Sequence, residues 1–262
     1  MVLSTIFYSR LLFVMSIVIA VTLTIISKIV MDKLFGPQYY TNESQGTGNT
    51  NVQNSSETVC KGHTSCIEDN DSQQGEKNNQ RIIVNTHNRL RATVALGQLE
   101  SQPPAQNMQL MNWDSKLASR AQFWADQHMF KHDDDRGENI GQNMYIVHYG
   151  GPHTKRHHNF TKVIISWYGE HVFYRYKKLQ KGDSNDRRTQ TGHFTQVVWA
   201  NTNKVGCGFA SFLENKQDQI LYVCNYAPSG NYKEEYPYIK GEPDCKAHGM
   251  MNSNIKGLCT NS

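Results

Sequence analysis

The sequence predicts an α+β domain of about 150 residues, set behind a polar extension and an apolar N-terminal run. Three observations carry that prediction. Apolar residues recur at helical spacing in three separate stretches between residues 79 and 175. The period then shortens to that of strands over 205–213 and 219–227, with the polar loop Glu214–Asp218 between them. Turn chemistry at Pro228, Ser229, Gly230 and Asn231 closes the block. No internal repeat interrupts it.

The N-terminal run, Leu11 to Ile26, is apolar except for Ser and Thr, with Arg10 before it and Lys28 after it. Two readings fit residues 1–30. They are a cleaved signal peptide, or an uncleaved signal-anchor if the span continues past Lys28 to Val30. Lys28 and Lys33 on one side offset Arg10 on the other, so charge does not orient the segment. Both readings send the chain into the secretory route and place it outside the cell, released or held at the membrane by that anchor alone.

Residues 31–78 are poor in apolar side chains and rich in Asn, Ser, Thr, Gln and Gly, as expected of an extension that builds no core of its own. Asn42, Asn54 and Asn70 head N-glycosylation sequons there, and Asn159 heads a fourth further on. The six cysteines are Cys60, Cys66, Cys207, Cys224, Cys245 and Cys259. An even number behind a secretory leader, with no doubled C-x-x-C spacing, points to disulfides rather than zinc knuckles. Cys60 and Cys66 would staple a small loop in the extension.

The charge of +4 excludes little by itself, but its distribution does. Basic residues are scattered except at Lys177, Lys178, Lys181, Arg187 and Arg188, which read as a solvated loop. A nucleic-acid partner would require a basic stripe with interleaved aromatics, and none is present.

The domain elements follow in order. Ile83, His87, Leu90 and Val94 share one face of a helix over 79–96, with Gly97 as its stop. Asp114 caps a second helix carrying Leu117, Ala121, Trp124 and His128 on one face. His87 and His128 on such faces read as hydrogen-bonded core residues. The run Lys131–Asn143 reads as a loop, and its Asp residues as a solvated turn without the ligand spacing of a calcium loop. Residues 148–158, with His148, His153, His157 and His158, read as a polar surface loop. Val163, Ile164, Trp167 and Tyr174 give a third helix over 160–175, which places Glu170 at the border of its packed side. Gly192–Trp199 is a core segment with two polar residues, His193 and Gln196, that require partners. The two strands form an antiparallel hairpin in which Cys207 and Cys224 can bridge. Cys245 and Cys259 can close a loop of about 15 residues, worth roughly 3 kcal/mol. That loop lies in the short C-terminal extension, residues 233–262.

Gly192–Thr202 and Leu221–Tyr232 resemble the two long signatures of the CAP superfamily, which covers cysteine-rich secretory proteins, venom allergens and class 1 pathogenesis-related proteins. His87–Arg91 and Gly137–Asn139 resemble two further motifs, in the same order, so the resemblance spans 79–232 and is nearest to venom allergen-like members. It implies an α-β-α sandwich with a small, mostly antiparallel sheet. It also implies a cleft of His132, Glu138, Glu170 and His193, which suits a zinc-like divalent ion or a hydrogen-bond network that fixes the surrounding loops. The long cysteine-rich C-terminal domain of some relatives has no counterpart after residue 232.

The resemblance implies a binding protein for a sterol, a fatty acid or an extracellular protein target. The alternative is a metal-dependent hydrolase or protease, in which the histidines hold the ion and Glu138 or Glu170 acts as base. No H-E-x-x-H or G-x-S-x-G pattern supports the alternative, and Thr195 is the hydroxyl nearest His193 in sequence. A third reading is an adhesion protein displayed on a stalk.

Overall fold

The central sheet exists because two adjacent runs are rich in β-branched and aromatic residues, the first interspersed with small ones and the second nearly continuous and buried on both faces. In the computed structural model, which describes residues 65–149, 157–180 and 190–261, these runs become β3 (Lys204–Glu214) and β4 (Gln217–Ala227). The hairpin register sets Cys207 opposite Cys224, and the two are bonded with Cα atoms 4.1 Å apart. Side chains are described from residue 74 onward, within one compact unit, His63–Ser262. The leader, Asn42, Asn54 and Cys60, and the side chains of Cys66 and Asn70, lie outside the described residues. Most of the basic loop lies outside them too.

Two more strands complete the sheet. The short β1 (Asn112–Trp113) runs parallel to β3, and β2 (Gly141–Tyr149) runs antiparallel to β4, giving the order β1-β3-β4-β2. β2 corrects the loop assignment for residues up to 149. Its first residues, Gly141, Gln142 and Asn143, carry no apolar alternation, because Gly141 has no side chain and the buried side chains of Gln142 and Asn143 serve hydrogen bonds rather than a core.

Helix α1 spans Ser65–Ala95, beginning 14 residues before the expected start at 79. The added segment has no proline and is polar on every side, so periodicity cannot reveal it. Helix α2, Ser115–Ala125, is capped as expected, with Asp114 Oδ1 accepting from the backbone N–H groups of Lys116 and Leu117 at 3.0 Å. It stops before His128, which is exposed, takes a left-handed φ of 57°, and stacks on Phe212 instead of joining the core. Helix α3 is Phe160–Gly169, followed by a 3-10 turn at Glu170–Val172, so the predicted helix to 175 ends early. Asn159 caps it, accepting from Lys162 N–H at 2.9 Å. The core segment Gly192–Val197 winds into α4.

Layering follows from which strand residues are small. A Cβ on Gly206 would overlap the backbone at Ala118 N, and one on Gly208 would overlap Gln122 Cα, so α2 seats directly on the sheet. On that face Ala121 and Ala125 of α2 meet Met144, Ala210, Leu221 and Val223. On the other face Phe160 of α3 packs edge-on against Tyr222 at 5.3 Å, and His87 of α1 meets Tyr226. The fold is therefore an α-β-α sandwich.

The tail is integrated into the domain. β5 (Met251–Asn252) pairs with β6 (Cys259–Thr260), and Cys245 is bonded to Cys259. Cys259 N–H donates to Met108 O at 2.8 Å, and Leu110 N–H to Cys259 O at 2.7 Å. Among the described residues no helix is long and apolar enough to cross a membrane.

Candidate functional site

The turn from α3 into its 3-10 extension aims Glu170 at the start of α4. Glu170 Oε2 accepts from the backbone N–H groups of His193 and Phe194 at 3.0 and 3.1 Å. Its other oxygen, Oε1, accepts from His193 Nδ1 at 2.7 Å. Both side chains are 16% exposed, so the pair is largely shielded from water. A carboxylate facing Nδ1 holds the proton there and leaves the Nε2 lone pair for another partner.

His132 reaches the same chemical state by a different route. Asp133 N–H donates to Gln142 Oε1 at 3.1 Å, which fixes that atom as an acceptor. The same oxygen lies 2.9 Å from His132 Nδ1, so Nδ1 carries the proton and Nε2 is again the free acceptor. Gln142 Nε2 is in turn fixed by Asn225 Oδ1 at 3.0 Å. Asp133 corrects the solvated-turn reading. It is fully buried and bound by Arg120 through two bonds of 2.6 and 2.7 Å, which pins the loop bearing His132.

Of the four residues expected in the cleft, the structure brings Glu170 and His193 into contact. His132 and His193 are tied to adjacent strand residues, because the neighbour of Gln142, Asn143, donates from Nδ2 to His193 O at 3.2 Å. Glu138 is exposed on its turn and makes no hydrogen bond or ion pair among the described residues. The turn itself is anchored at Asn139, whose carbonyl accepts from Ser229 N–H at 2.8 Å. No set of three or more His, Cys, Asp or Glu side chains among the described residues stands close enough to hold one ion.

A polar relay behind His193 escaped the sequence. His87 Nδ1 donates to Ile83 O at 2.8 Å, and its Nε2 accepts from Tyr226 OH at 3.0 Å. Tyr226 OH also lies within 3.5 Å of Asn143 Nδ2. Burial pushes the His87 imidazole down to about 4, so it is neutral, and raises the Tyr226 phenol. His87 was expected to be a hydrogen-bonded core residue; its link to the cleft became visible only with β2 and β4 side by side. Gln196 also gains partners, Gly230 N–H and Thr202 Oγ1. Thr195 Oγ1 is fully buried against Asn231 Oδ1 at 2.7 Å, which removes it as a nucleophile.

A second concavity lies between α1 and α2, alongside the outer edge of β3, with a volume of about 780 Å³. Ile83, Trp113, Phe123, Phe160 and Phe209 supply its apolar wall. Its rim carries Glu76 and Asp126 and no lysine or arginine. The Trp113 indole N–H is buried without an acceptor among the described residues.

The three layers, the two bridges and the carboxylate-held histidine define a disulfide-stapled α-β-α sandwich domain. Residues 84–226 match the model of the CAP, or cysteine-rich secretory protein, family, and the chain belongs to that family. It is similar to Venom allergen 5.02 of Dolichovespula maculata, 39% identical over 165 residues that cover 60% of this chain and 74% of that protein. Among solved structures it resembles BmVAL-1, with a TM-score of 0.59 and 29% identity over 70% of this chain and 94% of the other. It also resembles NaASP2, solved with Zn2+, with a TM-score of 0.55 and 28% identity over 69% of this chain and 94% of the other.

Proposed function

We propose that this chain is an extracellular binding protein that takes a neutral lipid, a sterol above all, in the groove between α1 and α2. The groove wall carries this reading. It is aromatic and aliphatic and of a size that takes a small ligand. The rim decides between lipid classes. Glu76 and Asp126, with no lysine or arginine among the described lining residues, repel a fatty-acid carboxylate but leave a sterol hydroxyl unaffected. Secretion and bridging in an oxidising compartment fit the apolar leader and the two disulfides.

The test is equilibrium binding of radiolabelled cholesterol and palmitate to the purified protein and to Ser119→Trp, which fills the groove from its rim. Saturable cholesterol binding that falls about tenfold in the variant, with palmitate weaker throughout, is the expected result. Absence of saturable cholesterol binding, or equal binding to both proteins, overturns the proposal.

A second reading concerns metal. His132 and His193 both present Nε2, held by Gln142 and Glu170, which is the arrangement in which histidines ligate zinc. These two imidazoles would hold the ion, with Glu138 as a carboxylate that makes no hydrogen bond or ion pair among the described residues. A bound zinc would supply Lewis acidity and an activated water. Isothermal titration with Zn2+ tests it. Stoichiometric heat lost in both His132→Ala and His193→Ala is expected, and heat unchanged in either variant excludes the pair. The hydrolase alternative stands on that result and additionally requires chelator-sensitive cleavage.

A further inference from the structure

A third cavity, of about 410 Å³, shares no lining residue with the groove between α1 and α2 and includes none of His132, Glu138, Glu170 and His193. It is bounded by the segment Glu234–Lys240 and by Tyr176, Asn107 and Trp199–Asn201. Its walls are aromatic and fixed. Tyr176 stacks on Tyr236 at 4.9 Å with the rings within 21° of parallel, and lies 5.1 Å from Tyr238. The hydroxyl of Tyr176 is spent on Tyr238 O at 2.7 Å, and that of Tyr238 on Pro103 O at 3.0 Å, so the rings are held by their polar ends. The wall backbone is pinned by Ala200 N–H to Pro237 O at 2.7 Å and Gln106 N–H to Ile239 O at 2.9 Å. Even so, Tyr236 is 44% exposed and Ile239 47% exposed, large apolar surfaces that the fold does not cover.

Asn107 supplies an independent pointer to a ligand. It is 8% exposed, and its Oδ1 accepts from Ile239 N–H at 2.9 Å, which fixes the orientation of the amide. Among the described residues its Nδ2 donors have no acceptor, and Asn107 lines the cavity. Among the described lining residues, Glu234 and Glu235 carry carboxylates and Lys240 an ammonium.

We propose that this cavity binds an extended, proline-bearing peptide segment with an adjacent Lys or Arg. The exposed surface of Tyr236, backed by its stack on Tyr176, and the neighbouring Ile239 offer a flat apolar platform to pyrrolidine rings, and a polyproline II backbone, which makes no internal hydrogen bonds, presents its carbonyls to a fixed donor such as Asn107 Nδ2. The acidic rim selects the basic side chain. Tyr176, held by its hydroxyl, backs the exposed Tyr236 ring and limits the freedom lost on binding, which favours a short ligand.

The test is fluorescence polarisation with a labelled proline-rich peptide bearing arginines at one end, on the full chain. Controls are the same peptide with alanine for every proline, and an unlabelled neutral oligosaccharide as competitor. Saturable binding is expected, weakened about tenfold in Tyr236→Ala and several-fold in Glu235→Gln. Ser119→Trp should leave it unchanged, which separates this proposal from the sterol reading. Thermal melts of Tyr236→Ala and Glu235→Gln matching the parent show that the loss is local. Absence of saturable binding, equal binding of the alanine peptide, or displacement by the oligosaccharide would each overturn the assignment.

Discussion

Glu170 Oε1 and His193 Nδ1 lie 2.7 Å apart, and the same carboxylate closes the first turn of α4 through its other oxygen. One side chain thus sets both the tautomer of the imidazole and the position of the helix that carries it. Glu170→Gln keeps one carbonyl acceptor but loses the charge. The expected result, read from imidazole 15N shifts, is a single Nδ1–H tautomer in the parent and a mixture in the variant. Glu170→Ala removes all three bonds and is expected to cost about 1–3 kcal/mol in chemical denaturation. A parent with Nε2–H as the main tautomer would contradict this assignment.

His87 gives a pH dependence with a defined sign. Its imidazole titrates near 6.5 in the unfolded chain and at about 4 in the folded one, because burial disfavours the cation and Arg91 adds to that effect. Between those values the unfolded state binds the extra proton. Stability is therefore full above pH 6.5 and falls as pH drops towards 4, by about 3 kcal/mol in total. Urea denaturation at pH 7 and pH 4 should show this loss in the parent. In His87→Gln, where nothing titrates at the position, the loss should be smaller by that amount.

Arg91 is a buried cation held without a carboxylate. Its guanidinium donates to the carbonyls of Gln109, Val197, Trp199, Ala200 and Thr202 at 2.7–3.2 Å. Burial lowers it to about 9, so it remains charged at neutral pH. It ties α1 to the segment leaving α4, which carries His193. Lysine offers three donors on a flexible stem and cannot span five carbonyls. Arg91→Lys is expected to cost about 3–5 kcal/mol, measured as a shift of the urea midpoint at unchanged slope.

These networks explain what the sequence disclosed. The hairpin was legible because Val205–Leu213 and Gln219–Ala227 are short apolar runs, rich in β-branched and aromatic residues, on either side of a polar loop, and α2 because Asp114 precedes an apolar stripe. β2 was not, since Gln142 and Asn143 spend their buried side chains on the cleft and break the alternation that marks a strand. The start of α1 at Ser65 lies in a run that is polar on every side. The candidate cleft residues are 61 positions apart from His132 to His193, with no local spacing to unite them, and they were found through the family resemblance alone. The sterol groove left no sequence signal, because Ile83, Trp113, Phe123, Phe160 and Phe209 come from five separate elements or their flanks.

Two glycines separate close packing from helix propensity. At Gly206 an added methyl would meet Ala118 N, Asp114 O and the Leu117 carbonyl carbon, all backbone atoms of the first turn of α2 or its cap, which no rotamer change can move aside. Gly206→Ala must therefore displace α2 from the sheet and disturb the Asp114 cap, for a cost of about 3 kcal/mol or more. It should also weaken cholesterol binding, since α2 forms one wall of the groove. Gly169 meets nothing within 4 Å and has a helical φ of −58°. Gly169→Ala should be stabilising by about 0.5–1 kcal/mol through reduced freedom of the unfolded chain. Opposite shifts of the melting temperature for the two variants are the expected outcome. A neutral Gly206→Ala would mean that α2 does not sit on β3 as closely as the structure shows.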